Sequence, residues 1–141
     1  MSKLEKILLA DDNEDNIELA RRIFEERGYT ADNGYEIIGF DCAEKLRRYY
    51  KQHEEDVPLI ITDNQMKILS GLDLLREIGQ KTYVVSSTPR LSERSENDPT
   101  IGRYLAARIL KKDGIDVYNK IIDLAIEAGL LRDLKYEKKQ A

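Results

Sequence analysis

Residues 59–78 of the chain read LIITDNQMKILSGLDLLREI. The continuous apolar run at 59–61 is typical of a strand that is buried on both faces of a parallel sheet. Apolar residues then recur at helical spacing over 72–78, which predicts a helix. Asp63 lies between the two elements, at the end of the predicted strand. The stretch therefore predicts a strand, a polar loop and a helix, which is the repeating unit of an α/β fold.

The same alternation extends along the chain in both directions. Further strands are predicted at 7–10, 37–40, 83–85 and 109–110, and further helices at 16–27, 43–50 and 117–126. Asp116 is a plausible N-cap of the last helix, and Gly129 is a plausible stop. Five strands alternating with helices predict a doubly wound five-stranded parallel sheet with helices on both faces. Such sheets bind ligands beyond the carboxyl ends of their strands.

Size and charge narrow the classes of function. A chain of 141 residues fits one compact domain, which we place at 1–129, followed by a charged C-terminal extension at 130–141. Lys and Arg total 23 and Asp and Glu total 27, which argues against nucleic acid and anionic membranes as partners. No apolar run approaches the roughly 20 residues of a membrane span. The single cysteine suits a reducing compartment, so we expect a cytoplasmic protein.

Polar side chains follow four of the five predicted strands. They are Asp11 and Asp12 after the first, Asp63 after the third, Ser86 and Ser87 after the fourth, and Lys111 and Lys112 after the fifth. Three carboxylates brought together repel unless a cation is present, and Mg²⁺ is the hard cation that suits them. With a lysine and a hydroxyl beside it, such a cluster is typical of phosphoryl transfer. Asp12 taken alone also fits a helix N-cap.

At this point the sequence resembles the response-regulator receiver domains. The segments ILLADDN, LIITDNQMKILSGLDLLREI, YVVSS and ILKKD carry the resemblance, which covers essentially the whole chain. The second segment is the most specific, because it matches in register over a long stretch. The resemblance implies a flavodoxin-like receiver fold.

The resemblance also implies a role for each site residue. Asp63 would be the phosphoacceptor and a metal ligand, and Asp11 and Asp12 would hold Mg²⁺, one of them through water. Gln65 would offer its backbone carbonyl to the metal and place its side chain beside the phosphoryl group. Ser86 would be the switch hydroxyl with Ser87 as its neighbour. Lys112 would be the family's lysine, with Lys111 as the fallback if the strand register differs by one.

The sequence departs from the family pattern at several positions. Lys67 and Asp113 stand where the family usually has proline. Three residues before the lysine, where the family often has an aromatic switch residue, stands Ile109, or Arg108 in the other register. The chain is also short before Ser86 and long after it. We therefore expect a reshaped fourth-helix region, with a helix at 100–107 after a polar loop at 88–99.

By this resemblance the protein is expected to be a two-component response regulator. A histidine kinase or a histidine-phosphotransfer protein would phosphorylate Asp63, and the altered domain would signal to a downstream protein partner. It would catalyse only its own phosphorylation and dephosphorylation, and would not be a turnover enzyme. The alternative is a pseudo-receiver, a binding module that keeps the fold without the switch. A phosphatase with an aspartate nucleophile fits poorly, because its D-x-D pattern does not match Asp11-Asp12-Asn13.

Overall fold

A computed structural model of the protein describes residues 3–66, 68–86, 108–112 and 114–135. The strands are β1 Glu5–Ala10, β2 Tyr35–Phe40, β3 Leu59–Asp63, β4 Thr82–Ser86 and β5 Ile109–Lys111. The helices are α1 Glu14–Glu26, α2 Ala43–His53, α3 Gly71–Ile78 and α4 Ile115–Glu127. Short 3₁₀ helices occupy Ala31–Asn33 and Glu54–Asp56. The loop expected at 88–99 and the helix expected at 100–107 lie outside the described residues.

The five strands form one parallel sheet in the order β2-β1-β3-β4-β5. The predicted fold class is therefore confirmed. Strand order reverses between β1 and β3, and this switch point is where open α/β sheets place their ligand crevice. Ala10 pairs with Thr62, so Asp11 and Asp63 follow neighbouring positions at the carboxyl edge.

Apolar residues of the strands alternate between two cores, one on each face of the sheet. Leu9 and Ile61 pack with α1 and α4, whereas Leu8 and Ile60 pack with α2 and α3. Side chains in a strand point to opposite faces in turn. This alternation directs the side chain of Asp63, two residues after Ile61, toward the face that α1 and α4 cover.

The ends of the helices differ in part from the sequence expectation. Helix α1 begins at Glu14 rather than near residue 16, because the side chain of Asn13 accepts a hydrogen bond from the Asp15 N–H and caps it. The prediction of Asp116 as an N-cap is wrong, since α4 begins one residue earlier, after Gly114. The stop at Gly129 is confirmed: this residue has a φ of +78°, a conformation that glycine adopts at little cost.

The chain after α4 packs back onto the domain. Leu131 and Leu134 are buried in the core between the sheet and the helices α1 and α4. The Tyr29 hydroxyl donates a hydrogen bond of 2.8 Å to the Arg132 carbonyl, and the Arg132 N–H donates one of 3.2 Å to the Tyr35 hydroxyl. Residues 130–135 of the predicted extension thus contribute to the hydrophobic core. No helix among the described residues is long and apolar enough to span a bilayer.

Candidate functional site

Three carboxylates lie together at the carboxyl edge of the sheet. Asp11, Asp12 and Asp63 each offer an oxygen, and these three atoms lie within 4.8 Å of one another. Asp11 is buried, Asp63 is partly buried and Asp12 is exposed. The cluster exists because β1 and β3 are hydrogen-bonded neighbours that end at the same edge.

Asp11 is held by polar groups from the start of α1. The Asn13 N–H donates a hydrogen bond of 2.9 Å to Asp11 Oδ1, and the Asn16 amide donates one of 3.1 Å to Asp11 Oδ2. Because Asn13 caps the helix, the alternative role of Asp12 as the N-cap is wrong. Asn16 is a site residue that the sequence analysis missed. Its position one turn into an amphipathic helix looks like an ordinary helix start.

Lys112 is the candidate lysine that reaches the carboxylates. Its Nζ lies 3.4 Å from Asp11 Oδ2 and 3.9 Å from Asp63 Oδ2. Leu110, two residues earlier, packs in the core under α1 and α4, so alternation along the chain directs Lys112 to that same side. Lys111 is exposed at the end of β5. The geometry thus favours Lys112 over the fallback.

The surroundings of Asp63 act on its pKa in opposite directions. Burial has the largest effect and raises the pKa, and the nearby charges of Asp11 and Asp12 raise it further. The ammonium of Lys112 and a hydrogen bond with the backbone of Gln65 lower it. The net effect is a raised pKa, so the folded protein disfavours the ionised form of Asp63. A cation bound among the carboxylates would oppose this effect.

The loop after Asp63 is fixed by the start of α3. The side chain of Ser70 accepts a hydrogen bond of 3.1 Å from the Asp73 N–H, and the Asp73 carboxylate accepts one of 2.9 Å from the Ser70 N–H. This capping box leads directly into Gly71. A Cβ atom at Gly71 would lie 2.8 Å from the Asp63 carbonyl oxygen. Only glycine lets α3 begin this close to the predicted phosphoacceptor.

Two further predicted site residues stand at the same edge. Ser86 ends β4 and is buried, and its carbonyl accepts a hydrogen bond of 2.8 Å from the Lys112 N–H. Gln65 is exposed, in the loop after Asp63. Ser87 lies outside the described residues, so its predicted role as neighbour of the switch hydroxyl is not addressed by the structure.

The position expected for an aromatic switch residue holds an aliphatic side chain. With Lys112 as the site lysine, this position is Ile109, which is buried with Leu75 and Val84. Arg108, the alternative in the other register, is also buried and donates a hydrogen bond from its guanidinium to the Tyr83 hydroxyl. An aromatic side chain that moves in and out is therefore not available at this position.

Tyr118 of α4 is a second residue that the sequence analysis missed. Its side chain is only 5 % exposed, and it lines a small cavity together with Asp11 and Asp63. Burial raises the pKa of Tyr118 to about 12, with further contributions from the charges of Asp11 and Asp63. In sequence it falls within the apolar pattern of the last helix, where a tyrosine reads as core packing.

The donor set of the cluster fits a hard divalent cation. Oxygens that share one Mg²⁺ at 2.0–2.1 Å can be at most about 4.2 Å apart, twice the metal–oxygen distance. The three carboxylate oxygens, within 4.8 Å of one another, need little rotation to meet that limit. The exposed Asp12 leaves the cluster open on one side, where Mg²⁺ can keep several waters. Asp11, Asp12 and Asp63 are thus the residues that would hold the ion.

Fold and site together define a class: a doubly wound α/β domain with three carboxylates and a lysine at its ligand edge. The family model described as the response regulator receiver domain matches residues 7–112. The chain belongs to the response regulator receiver domain family. No curated protein is significantly similar to the chain in sequence.

Solved receiver structures share the fold. A response regulator receiver domain protein from Clostridium thermocellum aligns with a TM-score of 0.65 and 21 % identity, covering 89 % of this chain and 97 % of that one. A response regulator receiver protein from Pseudomonas putida aligns with a TM-score of 0.58 and 25 % identity, covering 90 % of this chain and 99 % of that one. The bacteriophytochrome response regulator AtBRR aligns with a TM-score of 0.64 and 17 % identity, covering 92 % of this chain and 96 % of that one.

Proposed function

We propose that this receiver domain is a phosphorylation-controlled switch in which Asp63 accepts a phosphoryl group in a Mg²⁺-dependent reaction. The observation that carries the proposal is the cluster of Asp11, Asp12 and Asp63 with the Lys112 ammonium beside it. The domain is a switch and not a turnover enzyme, because the phosphoryl group ends on its own side chain.

Phosphoryl transfer to Asp63 would depend mainly on positioning and charge stabilisation by the protein. A carboxylate oxygen of Asp63 attacks phosphorus, the bond from phosphorus to the donor breaks, and the donor keeps the electron pair and takes up a proton. Bound Mg²⁺ would supply charge stabilisation for the phosphoryl oxygens. Lys112, within 4 Å of Asp63, is placed to pair with one of these oxygens. Gln65 stands in the adjoining loop, where its side chain would lie beside the phosphoryl group and its carbonyl would face the metal.

The natural donor would be a histidine kinase or a histidine-phosphotransfer protein. A phosphoryl group adds a charge of about −2, which must find new hydrogen-bond donors. Ser86 is the hydroxyl that would turn toward it, and its carbonyl already binds the Lys112 N–H. Movement there would be passed to the chain after β4 and hence to a downstream protein partner.

A pseudo-receiver is the second candidate function. The buried Ile109 favours it, because this side chain cannot act as an aromatic switch. Lys67 and Asp113, which replace the family's usual prolines, favour it as well. Against it stands the full set of acidic residues with the lysine in contact. A binding module without a switch gains nothing from three mutually repelling carboxylates.

Incubation with acetyl phosphate and Mg²⁺ distinguishes the two candidates. The switch predicts a mass increase of one phosphoryl group that requires Mg²⁺ and is absent from Asp63→Asn. Beryllofluoride with Mg²⁺ should shift the backbone amide NMR signals of wild type but not those of the variant. A folded wild-type protein that shows neither response would favour the pseudo-receiver.

A further inference from the structure

Tyr118 stands beneath the carboxylate cluster, on the side of the sheet that α1 and α4 cover. It lies in α4, and its side chain is packed in the same core as Leu9 and Ile61. Tyr118 lines a cavity of about 10 Å³ together with Asp11 and Asp63 of the cluster. The polar residues that line it are Asp11, Asn16, Asp63 and Tyr118, and the rest of the lining is aliphatic.

A cavity of this kind has room for one water molecule. A buried water needs a volume of about 10–15 Å³ and two to four polar partners. The cavity of about 10 Å³ lies at the lower end of that range, and four of its lining residues, Asp11, Asn16, Asp63 and Tyr118, carry polar groups. A purely apolar cavity of the same size would stay dry.

The Tyr118 hydroxyl can donate a hydrogen bond to such a water. Within the described part of the chain, no direct hydrogen bond joins it to either carboxylate. Tyr118 nevertheless lines the same cavity as Asp11 and Asp63, so all three residues border one space. A phenol that stays protonated is a hydrogen-bond donor, and carboxylates accept only. A water between them would link the phenol to both carboxylates.

We propose that Tyr118 is a positioning residue for the acceptor site. Its hydroxyl holds the inner oxygens of Asp11 and Asp63 through one cavity water and so orients both carboxylates toward a divalent cation. Asn16 already fixes Asp11 from the α1 side with a hydrogen bond of 3.1 Å. Tyr118 supplies the corresponding support from α4. The inference rests on the proposed function, because it assumes that the cluster binds Mg²⁺.

The test is a Mg²⁺ titration of Tyr118→Phe, followed by backbone amide NMR shifts. The substitution keeps the ring and its packing and removes only the hydroxyl. Loss of a residue that supports metal ligands typically weakens binding 10- to 100-fold, so we expect the dissociation constant for Mg²⁺ to rise about tenfold. With acetyl phosphate, the variant should be slow at low Mg²⁺ and approach the wild-type rate when Mg²⁺ saturates.

Tyr29→Phe is the matched control. Tyr29 lies in the same core, and its hydroxyl binds the Arg132 carbonyl at 2.8 Å, among the residues that follow α4. This variant should be less stable in urea and bind Mg²⁺ like wild type. An unchanged Mg²⁺ affinity in Tyr118→Phe, with wild type binding normally, would overturn the role of Tyr118 alone. Failure of wild type to bind Mg²⁺ would overturn the proposed function, and the role of Tyr118 with it.

Discussion

The ammonium of Lys112 lies 3.4 Å from the carboxylate of Asp11, although 101 positions separate the two residues in the chain. The same ammonium lies 3.9 Å from Asp63. It therefore stands between two carboxylates that a divalent cation would share. The contact stabilises the cluster without metal and competes with metal for the same oxygens.

Removing the Lys112 charge should therefore tighten Mg²⁺ binding and slow phosphorylation. A unit charge about 4 Å away is worth roughly 1–4 kcal/mol at effective dielectric constants of 80 to 20. We expect Lys112→Met to lower the dissociation constant for Mg²⁺ about tenfold, as measured by NMR titration. Lys111→Met, at the exposed neighbouring position, is the control and should leave the affinity unchanged. Equal affinities in the two variants would contradict the competition between lysine and metal.

Replacing the Asp63 carboxylate should stabilise the metal-free domain at neutral pH. The pKa of Asp63 is raised in the folded state, mainly by burial. A raised pKa favours folding below the ordinary value of 3.8, and that advantage is lost as the pH rises through the folded value. Asp63→Asn should thus have a higher urea midpoint than wild type at pH 7 in EDTA.

The increase in stability to urea of Asp63→Asn over wild type should disappear well below pH 3.8, where the wild-type carboxyl is itself neutral. Asp41→Asn is the control of opposite sign, because a hydrogen bond with Lys45 lowers the pKa of Asp41. That substitution should not stabilise the domain at pH 7. A gain for Asp63→Asn that is the same at both pH values would show that electrostatic cost is not its cause.

Adding a methyl group at Gly71 should destabilise the domain. Its Cβ would lie 2.8 Å from the Asp63 carbonyl oxygen and 3.0 Å from both Asn64 Cα and Val84 Cγ1. Overpacking of this kind costs about 1–3 kcal/mol, which urea unfolding of Gly71→Ala would measure. Adding Val84→Ala should not rescue the variant, because the two backbone contacts remain. Full rescue would show that the side-chain contact alone requires glycine.

Truncating Leu131 should show that the residues after α4 belong to the folded domain. Leu131 is buried in the main core, and large-to-small substitutions at such sites cost about 2–5 kcal/mol. Urea unfolding of Leu131→Ala should fall in this range. Lys135→Ala, at an exposed position nearby, should change stability by less than about 0.5 kcal/mol. A near-neutral Leu131→Ala would mean that the segment contributes little to stability.

Much of the fold could be read from local patterns. The apolar runs at 7–10 and 59–61 form two of the three interior strands of the sheet, and helix α3 ends before Gly79 as expected. The prediction errors lie at helix starts, where several short polar residues are candidates for the N-cap. Asn13 rather than Asp12 caps α1, and Gly114 rather than Asp116 precedes α4. Which side chain caps a helix depends on loop geometry that spacing alone does not specify.

The features of the candidate site can also be separated into those that the sequence predicts and those that only the structure shows. The amino-acid sequence by itself determined which residue types follow each strand, and thus that acidic groups and a lysine would gather at one edge. Only the tertiary structure decided that Lys112 and not Lys111 reaches Asp11, and that Asn16 and Tyr118 border the cluster. The physical reason is range: strand and helix periodicity is encoded by near neighbours, whereas these contacts depend on how separate helices pack across the sheet.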